Sequence, residues 1–312
     1  MKFLVIGASG FIGSNVLAHV RSRGFAALGT QSQPRDPSLI TFNLAQDRIL
    51  HCVGREFFDE EAPVCVIICA VVSNMDRCLL EREHSYRINV ENTIQLIKDV
   101  RPLGAKIVFL STCFAFDGTL GYYNESHAVS PVNEYARHKV EVEQYVHQHV
   151  PNAFIARLEK VVSDEPEDHQ LFSQWQQLAQ AGQPIVCIQG SLLSPTFVSD
   201  VARALTLACE LNLSGLYHVC NSEFFYRDEL ARQFCHALGW PPDVEQRSLE
   251  TFQFPDRRAL KSYLDGSRFA ELTSMRFTSM SNVFRSFQAK LHAKATTRTA
   301  QETTSPVSSP AT

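Results

Sequence analysis

A chain of 312 residues, 45% hydrophobic and 20% charged, is typical of a folded globular protein with one large domain or two smaller ones. The net charge of −4 and the lack of a basic block argue against nucleic acid or a membrane surface as a partner. No apolar stretch is long enough to cross a bilayer. The nine cysteines show no CxxC pair or metal-ligand spacing, so we expect a cytoplasmic protein with reduced thiols and no metal.

The first predicted strand runs directly into a glycine-rich turn. An apolar run at residues 3–6 is followed by the sequence GASGFIG at 7–13 and then by a helical pattern. The N–H groups and dipole at the start of such a helix favour a phosphate group, although an ordinary strand–turn–helix remains the alternative. The residues expected to bind a cofactor here are Gly7, Ser9, Gly10, Phe11, Ile12 and Gly13.

Further strand-like runs alternate with helical patterns along the first half of the chain. The runs lie at residues 26–29, 64–70, 106–110 and 154–157, and helical patterns lie near 11–23, 83–100 and 134–149. This alternation predicts βαβ units with right-handed crossovers. We therefore expect an α/β fold, a Rossmann-type doubly wound parallel sheet with a smaller C-terminal α/β part that binds the substrate.

The pattern changes after the polar segment at residues 165–169. Residues 1–165 are predicted to form the Rossmann domain, with segments near 195–220 returning to it. Residues 166–288 are expected to form mainly the substrate-binding part, covering the end of the sheet where ligands bind. The last residues are rich in Thr, Ser, Ala and Pro, so 289–312 is predicted to be a disordered tail.

A second chemical signal is the pair Tyr135 and Lys139, which a helix would place one turn apart on the same face. Upstream, Ser111 and Thr112 follow the predicted strand at 106–110, so their hydroxyls belong to its C-terminal end. A tyrosine has a pKa of about 10 and becomes useful in acid–base chemistry when a nearby ammonium stabilises its phenolate. The alternative is a solvated helix face that carries no chemistry.

These motifs, in this order, resemble the extended short-chain dehydrogenase/reductase superfamily. The segment STCFAFDG at 111–118 narrows the resemblance to dTDP-4-dehydrorhamnose reductases. Further matching segments lie at residues 75–78, 84–90, 195–202, 215–219 and 258–265, so the resemblance covers about residues 1–270. It implies NAD(P)-dependent reduction of a keto group on a nucleotide-activated sugar. In relatives the helices near 83–100 and 134–149 commonly form dimer faces, which leaves a homodimer open as the assembly.

The resemblance also implies residue roles. Thr112 would bond the substrate carbonyl, Tyr135 would donate a proton to its oxygen, and Lys139 would hold the nicotinamide ribose and lower the pKa of Tyr135. The residues implied to contact the substrate are Ser111, Cys113, Phe114 and Arg258. Arg258 would suit pyrophosphate oxygens, and a simple surface arginine is the alternative.

Cofactor preference is expected to depend on the end of the second strand, where an acidic residue would favour NAD. Residues 30–35 read TQSQPR, without a carboxylate. Gln31 and Arg35 would suit the 2′-phosphate of NADP, which we therefore favour over NAD. Asn43 is expected to contact the adenine or to serve as a turn residue, Ala70 to line the phosphate pocket, and Asn89 to cap a neighbouring loop.

Departures from the family pattern leave alternatives open. Cys113 and Phe114 stand where the related dehydratases have an Asp-Glu pair, which disfavours dehydration. Cys113 would be either a packing residue or a nucleophile. Glu159, Lys160 and the missing proline after Arg258 also depart from the pattern. Two other functions therefore remain: an epimerase that retains NAD, and a non-catalytic NADP-binding regulatory subunit.

Overall fold

The computed structural model describes residues 1–59 and 62–303. The strands are β1 Lys2–Ile6, β2 Ala26–Gln31, β3 Ile40–Thr41, β4 Val64–Ile68, β5 Lys106–Thr112, β6 Phe154–Leu158, β7 Val161–Val162, β8 Ile185–Ile188, β9 Leu192–Leu193, β10 Thr196–Phe197, β11 Gly215–Val219, β12 Phe225–Tyr226 and β13 Val244–Arg247. The α-helices are α1 Phe11–Ser22, α2 Ile49–Cys52, α3 Glu56–Asp59, α4 Met75–Leu80, α5 Arg82–Tyr86, α6 Thr93–Val100, α7 Glu134–His149, α8 Leu171–Gln180, α9 Val198–Glu210, α10 Arg227–Ala237, α11 Ser267–Thr273 and α12 Met280–Thr303. Short 3-10 turns lie at Arg101–Leu103, Cys113–Ala115 and Leu249–Thr251, and Arg87–Asn92 is π-helical.

Seven parallel strands form the main sheet in the order β11-β6-β5-β4-β1-β2-β3. The chain builds outward from β1 in one direction and from β4 in the other, so the strand order reverses between these two strands. This arrangement confirms the predicted doubly wound α/β fold. In such sheets ligands bind beyond the C-terminal ends of the strands at the reversal point.

Helices cover both faces of the sheet, which explains why its central strands read as continuous apolar runs. Every residue of β1, β4, β5 and β6 is buried. On one face α1 packs against α9, and on the other α6 and α7 cover the sheet. Because β11 pairs with β6 and α9 contacts α1, residues 198–219 belong to the same layered unit as the N-terminal strands.

The predicted helix near 83–100 is interrupted. It consists of α5, the π-helical segment Arg87–Asn92 and α6. The widened turn contains the buried Asn89, whose amide accepts a hydrogen bond from Val72 N at 2.8 Å and donates one to Val72 O at 3.0 Å. Asn89 therefore caps the loop after β4, as predicted, and fixes a wall of the site described below.

A separate aromatic core holds the C-terminal part together. Helices α8, α10 and α12 pack around rings that include Phe172, Phe234 and Phe284. Phe172 and Phe234 stack with their ring centroids 5.1 Å apart, and Phe284 meets both rings edge-on. The paired strands β8 and β13 lie beside this core. The C-terminal part thus has its own hydrophobic support beside the main sheet.

The end of the described chain corrects the expectation of a tail starting at residue 289. Helix α12 runs on to Thr303. Phe287 is fully buried, and Lys290 Nζ contacts Asp164 Oδ1 at 2.8 Å and Glu165 Oε1 at 2.7 Å. Packing and charge therefore stabilise a helix that composition alone did not indicate. Residues 304–312 of the predicted tail lie outside the described residues.

Three observations bear on the class of protein. All nine cysteines are free thiols, and seven of them are buried. Within residues 1–59 and 62–303, no helix is both long and apolar enough to cross a membrane. In those same residues, no three His, Cys, Asp or Glu side chains are grouped as a metal ion would require.

Candidate active site

The glycine turn between β1 and α1 is shaped by close backbone contacts. Gly7 has a φ of +81°, and a Cβ there would lie 2.8 Å from the backbone of Ala70. A Cβ on Gly13 would lie 2.2 Å from Gly7 O, so α1 can approach the turn only with glycine there. Gly10 begins α1 without a side-chain cap, and a Cβ on it would come no nearer than 3.4 Å to protein atoms. The protein's own packing thus requires Gly7 and Gly13, and the space beside Gly10 is left for a ligand.

Two cavities meet at this turn. The first, which we call the Tyr135 cavity, has a volume of about 490 Å³ and is lined by the start of α1, the end of β5, α7 and residues 158–161. The second, the Asn43 cavity, measures about 530 Å³ and lies toward β2 and β3. Residues lining both are Gly7, Gly10, Cys69 and Val71. The two cavities therefore form one cleft at the point where the strand order reverses.

The three predicted catalytic residues all line the Tyr135 cavity. Thr112 ends β5, and Tyr135 lies in the first turn of α7, which Asn133 caps by accepting a hydrogen bond from Ala136 N at 2.9 Å. Lys139 Nζ donates a hydrogen bond to Leu110 O at 2.7 Å and lies 6.0 Å from the centroid of the Tyr135 ring. The spacing of four on α7 thus turns both side chains toward the end of β5.

Burial controls the protonation states of Tyr135 and Lys139. It raises the pKa of Tyr135 above its ordinary value, and the nearby Cys113 adds to the increase, whereas the Thr112 hydroxyl opposes it. Burial also lowers the pKa of Lys139 to about 8. In the protein by itself burial therefore keeps the pKa of Tyr135 high, and the lowering by Lys139 that the resemblance implies stays a prediction. Tyr135 is a neutral phenol that carries a proton to donate.

The residues next to Thr112 all line the Tyr135 cavity: Ser111, Cys113 and Phe114. Ser111 Oγ is buried without a hydrogen-bond partner among the described residues. Cys113 also packs with the buried ring of Phe116. Burial and the carboxyl group of Glu159 raise the pKa of the Cys113 thiol, so this thiol is a poor nucleophile. The observations favour the packing alternative for Cys113.

Sequence analysis had marked Glu159 and Lys160 only as departures, yet both line the Tyr135 cavity. They directly follow β6, whose Leu158 pairs with Thr112 in the parallel register. Glu159 is buried, and its carboxyl group accepts hydrogen bonds from Ser194 N at 3.1 Å and Ser262 Oγ at 3.3 Å. The signal available in the sequence was their location after a predicted strand, since parallel strand ends converge on one site.

At the Asn43 cavity the predicted role of Gln31 is corrected. Its buried amide accepts hydrogen bonds from Arg35 N at 3.1 Å and Asp36 N at 2.9 Å and donates to Leu39 O at 3.2 Å. The side chain therefore supports the loop after β2 and has no spare group for a cofactor. Arg35 is exposed and is not among the residues lining either cavity.

Other residues take the place of Gln31 and Arg35 in that cavity. The lining residues that sequence analysis did not assign to the site include the polar or charged Ser32, Gln33, Arg77 and His84. Asn43 lines the cavity and accepts a hydrogen bond from Ala45 N at 3.0 Å, which is the turn role left open above. Ala70 lines the cavity against Gly7, and Ser9 lines it as well. No single motif encodes this wall, because its residues come from the loops after β2 and β3 and from helices α4 and α5.

Arg258 lies in a neighbouring cavity of about 360 Å³. Its guanidinium contacts Asp76 Oδ2 at 2.6 Å and lies 4.3 Å from the centroid of the Phe254 ring. The alternative of a simple surface arginine is therefore wrong, since only 15% of the side chain is exposed. Its contact with a substrate remains a prediction, because Arg258 does not line the Tyr135 cavity.

Comparison with known proteins gives this geometry a family context. The chain is 26% identical over 278 residues to the probable low-salt glycan biosynthesis reductase Agl14 of Haloferax volcanii, covering 86% of this chain and 90% of that protein. It is 27% identical over 277 residues to the methionine adenosyltransferase 2 subunit beta of Danio rerio, covering 83% and 82%.

Among solved structures, the dTDP-4-dehydrorhamnose reductase of Bacillus anthracis in complex with NADP superimposes with a TM-score of 0.80 at 21% identity. The match covers 92% of this chain and 99% of that one, and at this identity it supports the fold alone. Residues 1–292 match the RmlD substrate binding domain. The chain therefore belongs to the RmlD substrate binding domain family, one of the extended short-chain dehydrogenases/reductases.

Proposed function

We propose that this protein reduces a keto group on a nucleotide-activated sugar, using NADPH, with NADH as the alternative cofactor. The observation that carries the proposal is the convergence of Thr112, Tyr135 and Lys139 on one cavity that also contains the glycine turn. The reductase name of the similar protein from Haloferax volcanii supports it. A homodimer is part of the same proposal, and sedimentation of the purified protein tests it.

The residues of the cleft fit a dinucleotide. The start of α1 presents uncapped N–H groups beside Gly10, where a pyrophosphate would gain both hydrogen bonds and the helix dipole. The adenosine half would lie in the Asn43 cavity against Ser32 and Gln33, where neither lining residue is acidic. The lack of an acidic residue among the lining residues supports NADP over NAD. When bound, the reduced nicotinamide supplies the hydride.

The protein's own residues would then position and protonate the substrate. The Thr112 hydroxyl donates a hydrogen bond to the carbonyl oxygen, and the unpartnered Ser111 hydroxyl lies next to it at the end of β5. Tyr135 Oη gives its proton to that oxygen as negative charge develops there. Because burial keeps Tyr135 protonated, the acid is in the required form at neutral pH. Lys139, fixed by Leu110 O, stabilises the phenolate that remains.

The test is the substitution Tyr135→Phe, assayed by NADPH oxidation with a panel of dTDP- and UDP-linked keto sugars. We expect turnover to fall at least about 100-fold while NADPH binding is retained. Tyr145→Phe is the matched control, because it removes a hydroxyl from the same helix near His149, away from the cavity. An unchanged rate in Tyr135→Phe would refute the assigned role.

A non-catalytic regulatory role is the second candidate, favoured by the similarity to a methionine adenosyltransferase beta subunit. It predicts tight NADP binding, no turnover with any sugar of the panel and a stable complex with another enzyme. The complete Thr112, Tyr135 and Lys139 set supports the catalytic proposal over this one. Net consumption of NADPH by the purified protein would exclude it, and would also exclude an epimerase, which regenerates its cofactor.

A further inference from the structure

Among the described residues that line the Asn43 cavity, two can carry a positive charge and none is acidic. The two are Arg77 on α4 and His84 on α5, and both are exposed. The other lining residues are apolar or neutral and polar. The side of the cavity formed by the helices after β4 therefore favours an anionic group.

The two side chains come from helices that are tied to each other. Ser85 follows His84, and its buried hydroxyl donates a hydrogen bond at 2.9 Å to the carbonyl oxygen of Cys78, which follows Arg77. Ile88 lies four residues after His84, about one helical turn, and lines the same cavity. The local packing thus holds the backbone next to Arg77 and His84 together, on the side of the helices that borders the cavity.

The guanidinium of Arg77 is free to bind a ligand. Asn74 Oδ1 accepts a hydrogen bond from Arg77 N at 2.9 Å, which holds the residue in the first turn of α4. Arg77 Nε donates to Glu81 Oε2 at 2.9 Å, and the terminal Nη groups have no hydrogen-bond partner within residues 1–59 and 62–303. Such an exposed ion pair contributes less than about 1 kcal/mol, so little is lost if a ligand draws Arg77 away.

The opposite wall, after β2, offers no charge to a phosphate. Gln31 bonds the backbone of its own loop, and Arg35 is not among the residues that line the cavity. Ser32 and Gln33 remain there, and their side chains are neutral. A phosphate monoester carries about 1.5 to 2 negative charges at neutral pH, so its transfer from water needs cationic partners. In this cavity the cations are Arg77 and His84.

We propose that Arg77 and His84 bind the 2′-phosphate of NADP, so that α4 and α5 set the preference for NADP over NAD. This inference rests on the proposed function, in which the adenosine half of the cofactor occupies the Asn43 cavity. The pyrophosphate would lie at the glycine turn, and the 2′-phosphate is the remaining anionic group of NADP. The planar guanidinium of Arg77 suits two phosphate oxygens, and the ring of His84 adds an N–H donor.

The test is a titration of the purified full-length protein with NADPH and with NADH, followed by the fluorescence of the reduced nicotinamide. The two cofactors differ only in the 2′-phosphate. We expect NADPH to bind at least about tenfold more tightly, a difference of about 1.4 kcal/mol. Arg77→Gln should weaken NADPH at least about fivefold and leave NADH within about twofold. Arg77→Lys should keep part of the preference, because the charge remains without the planar fork.

His84 is tested in the same titration. His84→Gln should weaken NADPH by a smaller factor than Arg77→Gln, and the double variant Arg77→Gln/His84→Gln should bind the two cofactors about equally. Both positions are exposed, so the variants should unfold at the temperature of the unaltered protein, which thermal unfolding checks. A double variant that keeps the full preference for NADPH would overturn the inference.

Two further arginines provide the comparison. Arg87→Gln changes an exposed arginine on the π-helical segment that lines neither cavity, and both affinities should stay unaltered. Arg35→Gln changes the residue that the sequence predicts for the 2′-phosphate, and the preference for NADPH should survive. If Arg35→Gln lost the preference and Arg77→Gln kept it, the phosphate would lie at the loop after β2 and the inference would be wrong.

The remaining outcomes separate this inference from the proposed function. Equal weakening of NADPH and NADH in Arg77→Gln would assign Arg77 to the pyrophosphate and overturn the inference. Equal affinity of the unaltered protein for the two cofactors would also overturn it, and would leave a reductase that accepts NADH. Failure of both cofactors to bind would overturn the proposed function, and this inference with it.

Discussion

The cleft has two sides that differ in how closely they follow the family pattern. On one side, β5 and α7 supply Thr112, Tyr135 and Lys139, each held by regular secondary structure and backbone hydrogen bonds. On the other side, the turn after β6 supplies Glu159 and Lys160, where the sequence departs from the family pattern. Under the proposed function, β5 and α7 would carry the reaction and the turn after β6 would contact the substrate, so substrate choice could change while the catalytic residues are kept.

One buried ion pair joins the two sides. Arg157 on β6 donates two hydrogen bonds to Glu143 on α7, at 2.9 and 2.6 Å, and both side chains are at most 6% exposed. Arg157→Met would leave the Glu143 carboxylate buried without its partner, and we expect the free energy of unfolding to fall by about 3–5 kcal/mol. Chemical denaturation measures this loss.

The pair Arg48 and Asp99 provides the control, because the Arg48 side chain is 53% exposed and Arg48→Gln should cost less than about 1 kcal/mol. The double variant Arg157→Met/Glu143→Leu should recover part of the stability, since it removes both buried charges. If the free energy of unfolding falls no more in Arg157→Met than in Arg48→Gln, other contacts hold the two sides together.

The role of the β5 side in the reaction can be isolated with Thr112→Val, which keeps the shape and removes the hydroxyl. Loss of a hydrogen bond to the developing oxyanion should lower kcat/KM about 100-fold. Steady-state kinetics with the best keto sugar measures the change. Thr206→Val on α9 is the matched control, since the Thr206 hydroxyl is bonded to Ala202 O away from the cleft. If Thr112→Val and Thr206→Val had the same kcat/KM, Thr112 would have no role in the mechanism.

The glycine turn borders both sides of the cleft. Of its glycines, Gly13 should mainly affect the stability of the fold, and Gly10 should mainly affect the binding of NADP. Gly13→Ala places a Cβ 2.2 Å from Gly7 O, so the backbone must shift, and we expect a loss of about 1–3 kcal/mol in unfolding free energy. Gly10→Ala meets no protein atom within 3.4 Å, and stability should change by no more than about 0.5 kcal/mol. NADP affinity should nevertheless fall in Gly10→Ala. A variant at Gly10 with unaltered NADP affinity would argue against a pyrophosphate at this turn.

The pH dependence tests Lys139. Its pKa of about 8 lies below the ordinary value of 10.5, so the ammonium is complete below pH 7 and is lost as the pH rises through about 8. If the ammonium is needed, kcat/KM should fall about tenfold for each pH unit above that value. Lys139→Arg, which stays charged, should lack this decline even if its rate is lower. A wild-type profile that is flat from pH 7 to 10 would contradict the role given to Lys139.

The sequence predicts most of the sheet and the β5 side of the cleft because their signals are local. Strands buried on both faces read as apolar runs, and Tyr135 and Lys139 are spaced by one helical turn. Gln31 was misassigned because its amide bonds backbone groups of a loop whose path the sequence does not specify. Glu159 and Lys160 are fixed by hydrogen bonds from Ser194 N and Thr196 N, so their place in the cavity depends on tertiary structure. The helix past residue 289 depends likewise on packing and on contacts with Asp164.

The central claim is hydride transfer to a sugar-bound carbonyl with Tyr135 as the proton donor. Deuterium transfer from 4-deuterated NADPH to the nucleotide sugar, followed by mass spectrometry of the product, tests it directly. We predict that the unaltered protein yields an alcohol heavier by one deuterium and that Tyr135→Phe yields almost none. A protein that binds NADPH and the nucleotide sugar but transfers no deuterium to any keto sugar would contradict the account.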